Sequence, residues 1–141
     1  MDGFREGDSR TLQIAITDEI VSAFVEWSGD DAPLHTSDAY ARARGFEKKV
    51  VHGAVLFSLV SRFVGVHFPG PESLWMKADV KFHKPCYTPC EVTIKGEILS
   101  VSEATLSIIL GVKVFDASQA QLMSVKSFHK ILSAGDADDL S

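Results

Sequence analysis

Apolar positions recur along this chain with two different periods, and the change between them divides it. From Thr11 to Thr17, Leu12, Ile14 and Ile16 alternate with Thr11, Gln13 and Ala15, the period of a short strand. Ile20, Phe24 and Trp27 then recur at helical spacing. Thr17 suits the N-cap of that helix, with Asp18 and Glu19 in its first turn. Ser37 caps a second short helix, Asp38 to Arg44, closed by Gly45. The most apolar stretch, Gly53 to His67, leaves little polar face and predicts a helix buried on most sides, stopped by Phe68-Pro69-Gly70-Pro71. Everything after it has period two. Leu74, Met76, Ala78, Val80 and Phe82 alternate with Trp75, Lys77, Asp79, Lys81 and His83, and Val92, Ile94, Gly96 and Ile98 repeat the pattern. Ala104 to Phe115 and Gln121 to Leu132 are two further strands. One strand, then helices, then four β segments is an α+β order, in which a curved antiparallel sheet wraps a central buried helix. Such a sheet leaves edge strands unpaired, so a homodimer or higher even oligomer is expected.

Composition narrows the reading without redirecting it. With 141 residues the chain fits one domain, read as 10–132, preceded by a flexible lead-in (1–9) and followed by an acidic, disordered tail (133–141). Net charge is −5, which argues against nonspecific nucleic-acid binding. The longest apolar stretch, Ala54 to Phe68, contains Arg62 and His67 and is too short for a membrane span. The first residues lack the basic start and apolar core of a signal peptide, so a cytoplasmic location is expected. Cys86 and Cys90 have no second pair and are read as free thiols. Arg42, Arg44, Lys48 and Lys49 form a local basic group, suited to a phosphate-bearing ligand or to a solvated face.

Candidate chemistry collects in Ser28-Gly29-Asp30-Asp31-Ala32-Pro33-Leu34-His35. Gly29 suits the left-handed position just past a helix, and Pro33 prevents the helix from running on. Asp30 and His35 are thereby held on a kinked loop, a carboxylate and an imidazole able to share a water. His67, His83 and His129 follow no metal-ligand spacing, and neither a metal nor a cofactor is expected. No nucleophile elbow or phosphate-binding glycine loop is present.

These residues resemble a known pattern. Phe24, Ser28, Gly29, Asp30, Pro33, Leu34, His35 and Ala41 match the motif of the MaoC-like hot-dog family, in particular its (R)-specific enoyl-CoA hydratases and acyl-thioester dehydratases. Val51-His52-Gly53 and the following helix, with Ser58 and Ser61, are similar to its central helix. Phe82 to Glu91 loosely matches a later turn, so the resemblance covers residues 10–132. It implies a hot-dog fold and hydration of 2-enoyl thioesters, or dehydration of (R)-3-hydroxyacyl thioesters, of CoA or acyl carrier protein. It further implies that Asp30 and His35 activate water and that Ser61 orients them. The amide of Gly53, at a helix start, would stabilise the enolate oxygen. His52 and the basic residues Arg42, Arg44, Lys48 and Lys49 fall on the substrate-binding side. Two positions depart from the motif: Trp27 replaces a small aliphatic and Ala32 replaces Asn. Together they point to a remodelled pocket, in which an amide restored at Ala32 is expected to be buried without partners. A non-catalytic acyl-binding scaffold and a hot-dog thioesterase are the alternatives.

Overall fold

The computed structural model describes residues 3–133 together with 135 and 136, so most of the acidic tail lies outside the described residues. Five antiparallel strands form one sheet: β1 (Ser9–Ile16), β2 (Ser73–Phe82), β3 (Cys90–Ser102), β4 (Ser107–Phe115) and β5 (Gln121–Ile131). Their spatial order is β1-β3-β4-β5-β2, so β1 and β2 are the edges. Four helices lie between β1 and β2: α1 (Asp18–Ser28), α2 (Pro33–Thr36), α3 (Asp38–Ala43) and α4 (Gly53–Arg62). A wider π-helical turn, Phe63–His67, extends α4.

The core is the apolar inner face of the sheet closed by one face of α4. Val92, Ile94 and Ile98 of β3, Ile108, Leu110, Val112 and Val114 of β4, and Met123 and Val125 of β5 are all buried. Val55, Leu56 and Val60 of α4, followed by Phe63 and Val64, pack against them. The seat is close at one point: a Cβ on Gly96 would lie 2.5 Å from the Phe63 ring, so β3 needs glycine where that ring rests.

Five local expectations change. α4 is buried on one face only, because Ala54, Ser58 and Ser61 remain exposed on the other. Along α1 it is Val21 and Phe24 that pack on the core, while Ile20 and Trp27 face outward, Trp27 being 80% exposed. The third β segment starts at Ser107 rather than Ala104, since Leu106, at φ 50°, turns the hairpin. In β2 the register shifts between Trp75 and Lys77. The additional residue, Met76, turns outward, and Trp75 pairs across the sheet with His129 on the inner face. The lead-in is tied to the sheet, because Gly7 N–H donates to the Ile98 carbonyl and Ile98 N–H to the Asp8 carbonyl.

Candidate active site

α1 ends on Gly29, which adopts the left-handed conformation (φ 73°) and donates its N–H to the Val25 carbonyl. The chain turns there, and Asp30 N–H donates to Ser28 Oγ. Pro33 opens α2 at its first position, where a missing N–H costs nothing. Two residues later, His35 comes back close to Asp30. Donor atoms of Asp30, His35 and His52 lie within 4.8 Å of one another.

Backbone carbonyls fix both imidazoles. His35 Nδ1 lies 2.7 Å from the Val50 carbonyl, which can only accept, so Nδ1 carries a proton and in the neutral tautomer Nε2 is the acceptor. His52 Nε2 donates to the Asp30 carbonyl at 2.8 Å. The His35 and His52 rings stack at 4.0 Å with planes 22° apart, and Phe24 packs on the other histidine at 4.7 Å. A shared metal would have to lie near the plane of both rings at about 2.1 Å. Two nearly parallel planes this far apart offer no such point, so the cluster suits a water better than an ion.

The sequence placed His52 among the substrate contacts. It is 1% exposed, and its bond to the Asp30 carbonyl makes it a support of the loop. Gly53 follows it at the α4 N-terminus, where helix N–H groups are free of intrahelical partners. The space that its missing side chain opens is taken by Phe82, whose ring would lie 2.8 Å from a Cβ at Gly53. Sequence reasoning passed over Phe82, because its position in the β2 alternation explained it fully.

Two cavities meet at this loop, and a third lies along α4. A cavity of about 320 Å³ lies between α1 and the Lys49–Val51 segment, with His35 and Thr88 in its wall. Thr88 there donates to the Asp18 carboxylate. A second, of about 420 Å³, runs from His35 past Gly53 and Phe82 to Cys86. The third is the largest and most apolar, about 690 Å³ along the open face of α4. Phe24 and Trp27 wall one side, Phe57 and Trp75 the other, with Ala54, Ser58 and Ser61 between them. Ser61 therefore lines this groove rather than either cavity that His35 lines. Ser58 donates to the Val55 carbonyl within its own helix.

Ala32 is exposed and caps α2 without a side-chain bond, so an amide there would meet water and not a dry pocket. The basic group is partly committed. Arg42 Nε donates to the Glu47 carbonyl, and Arg44 lies 3.5 Å over the Tyr40 ring. Asp38, whose carboxyl is held below the usual range by the Lys49 N–H and by the charges of Arg42, Lys49 and Lys48, offsets the rest. Lys49 alone of the four borders a cavity that His35 also lines. Cys86 and Cys90 are free thiols. Burial, reinforced by Cys90, pushes the Cys86 thiol up to about 12, so it is no nucleophile at neutral pH.

Comparison with known proteins places the chain among them by sequence and fold. The model of the "MaoC like domain" matches residues 6–114. An (R)-specific enoyl-CoA hydratase of Aeromonas caviae is 31% identical over 111 residues, 79% of this chain and 83% of that protein. A mitochondrial 3-hydroxyacyl-[acyl-carrier-protein] dehydratase of Arabidopsis thaliana is 34% identical over 98 residues, 70% of this chain and 54% of that protein. The solved structure of the (R)-hydratase of A. caviae superposes with a TM-score of 0.87 at 27% identity, covering 94% of this chain and all of that one.

Proposed function

This chain belongs to the MaoC-like domain family, and from that premise we propose that it hydrates 2-enoyl thioesters, and in reverse dehydrates (R)-3-hydroxyacyl thioesters, at the Asp30–His35 loop. It is a carbon–oxygen lyase of the hydratase/dehydratase class, as its relatives are. The observation that carries the residue assignment is the approach of an Asp30 carboxylate oxygen and a His35 ring nitrogen to within 4.8 Å, with the ring held through Nδ1 by the Val50 carbonyl.

In the hydration direction, Asp30 and His35 grip one water between carboxylate and Nε2. One of them takes its proton as the oxygen adds to C3, and the proton is returned to C2. Negative charge develops meanwhile on the thioester oxygen. The free N–H groups at the start of α4, Gly53 first, and the positive end of that helix stabilise it. The Phe82 ring on Gly53 then has to yield to the thioester, which its half-exposed position permits. The apolar groove along α4 suits the acyl chain. Lys49, beside the His35 cavity, suits a phosphate of the thioester carrier, with Lys48 and Arg42 close to the same Asp38.

We also place a second copy of the chain against the β2 edge. Met76, Val80 and Phe82 are exposed there, beside unpaired strand hydrogen-bonding groups.

The direct test is incubation with crotonyl-CoA, following loss of the conjugated thioester absorbance and release of free thiol in parallel. Loss of absorbance without thiol supports hydration. Thiol release would assign a thioesterase, and binding without either change a scaffold.

A further inference from the structure

The inner face of the sheet carries one polar island that the proposed chemistry does not use. Ser127 and His129 project from β5 into the core, 0% and 1% exposed. Their Oγ and Nε2 atoms are 2.8 Å apart. Nδ1 of His129 is buried without a hydrogen-bond partner, a state that folded proteins ordinarily avoid. Across the strands His129 has Ile108 on β4 and Trp75 on β2, and neither side chain can satisfy Nδ1 there. The Trp75 indole stacks beside the imidazole at 5.9 Å with planes 19° apart, while its own N–H donates to the Lys77 carbonyl.

The place of this island in the fold gives it a use. Trp75 and Phe57, stacked at 4.9 Å, form the wall of the apolar groove opposite Phe24 and Trp27. The groove is therefore walled by aromatic rings and backed, behind Trp75, by the imidazole that carries the unsatisfied nitrogen. Trp75 is the partition, and it stands on an edge strand beside the extra residue, Met76, at which the register shifts. Burial lowers the His129 pKa to about 4, so the ring is neutral near pH 7 and offers a hydrogen bond but no charge. The Ser127 hydroxyl can donate to Nε2 or accept from it, so Nδ1 becomes donor or acceptor in turn.

We propose that His129, held by Ser127, reads a neutral hydrogen-bonding oxygen, a hydroxyl or carbonyl, carried on the substrate's acyl chain several carbons beyond the thioester. The chain lies in the groove and displaces the Trp75 ring, and its oxygen fills the vacant bond at Nδ1. A plain alkyl tail reaching the same depth leaves that bond unmade, and a carboxylate meets no positive charge. This rests on the groove being the acyl site, as under Proposed function.

The test compares a medium-chain 2-enoyl-CoA ending in methyl with its counterpart ending in hydroxyl, for wild type, His129→Leu and Ser127→Ala. Wild type should favour the hydroxylated chain by about tenfold or more in kcat/KM, mostly through KM. His129→Leu should reverse the preference, and Ser127→Ala should reduce it. A wild-type preference for the methyl chain, or an unchanged ratio in His129→Leu, overturns the proposal. Crotonyl-CoA turnover by wild type reports separately on the hydratase reading. If it is absent, or if a variant does not fold, binding of the two saturated acyl-CoAs to wild type is read from the emission of Trp27 and Trp75, the only two tryptophans, both in the groove. Tighter binding of the hydroxylated chain supports the proposal, and equal affinity overturns it.

Discussion

The Val50 carbonyl sets the tautomer of His35, and the His52 ring holds the Asp30 carbonyl, so two backbone contacts prepare the pair before any substrate arrives. Replacing His52 with Ala should loosen the loop and lower kcat about tenfold to a hundredfold. His52→Gln, whose amide can still donate to the Asp30 carbonyl, should recover part of that loss in the same assay. Titration of His129 gives a second prediction. Its pKa falls from the ordinary 6.5 to about 4 on folding because the ring loses water. The unfolded chain therefore takes up a proton that the folded one refuses, and stability declines as pH drops from 6.5 towards 4. The full loss is of the order of 3 kcal/mol. Thermal melts across this window should show the decline in wild type and a flatter profile in His129→Leu. The carboxylate and imidazole of the loop were legible in sequence because Gly29 and Pro33 break the helix beside them. The roles of Val50 and His129 were not: a carbonyl has no residue signature, and an isolated histidine in a strand looks like any other.

Among the elements, α4 and its seat on β3 carry the architecture. Phe63 rests on Gly96, and the ring is wholly buried, so it cannot move aside. Gly96→Ala should cost about 1–3 kcal/mol and lower the thermal midpoint. Gly53→Ala presents the same crowding against a different ring. Phe82 is half exposed and free to swing, so the loss of stability should be smaller, while the α4 N-terminus becomes less accessible and activity falls. The strands and α4 could be read from period alone. The β2 bulge could not, because one inserted residue reverses inward and outward positions without changing the residue types. For that reason Trp75 reads as the polar-side neighbour of Met76 in sequence, yet forms a wall of the groove.

At the scale of the molecule, the order β1-β3-β4-β5-β2 leaves β2 open, with Met76, Val80 and Phe82 exposed on it. Sedimentation at micromolar concentration should report a dimer or a higher even oligomer, and a charged substitution such as Val80→Glu should shift it towards monomer. A wild-type monomer would contradict pairing at this edge. The α+β class followed from the order of periods, and the wrapped sheet from the need to cover one apolar helix. The groove was hidden because Ala54, Ser58 and Ser61 are small enough to read as helix packing. The central claim is that Asp30 and His35 together activate the water that adds to the enoyl thioester. Crotonyl-CoA hydration by Asp30→Asn and by His35→Ala tests it most directly, with circular dichroism confirming the native fold. Each variant should lose about a hundredfold or more in turnover. Wild-type rates in both folded variants would contradict it.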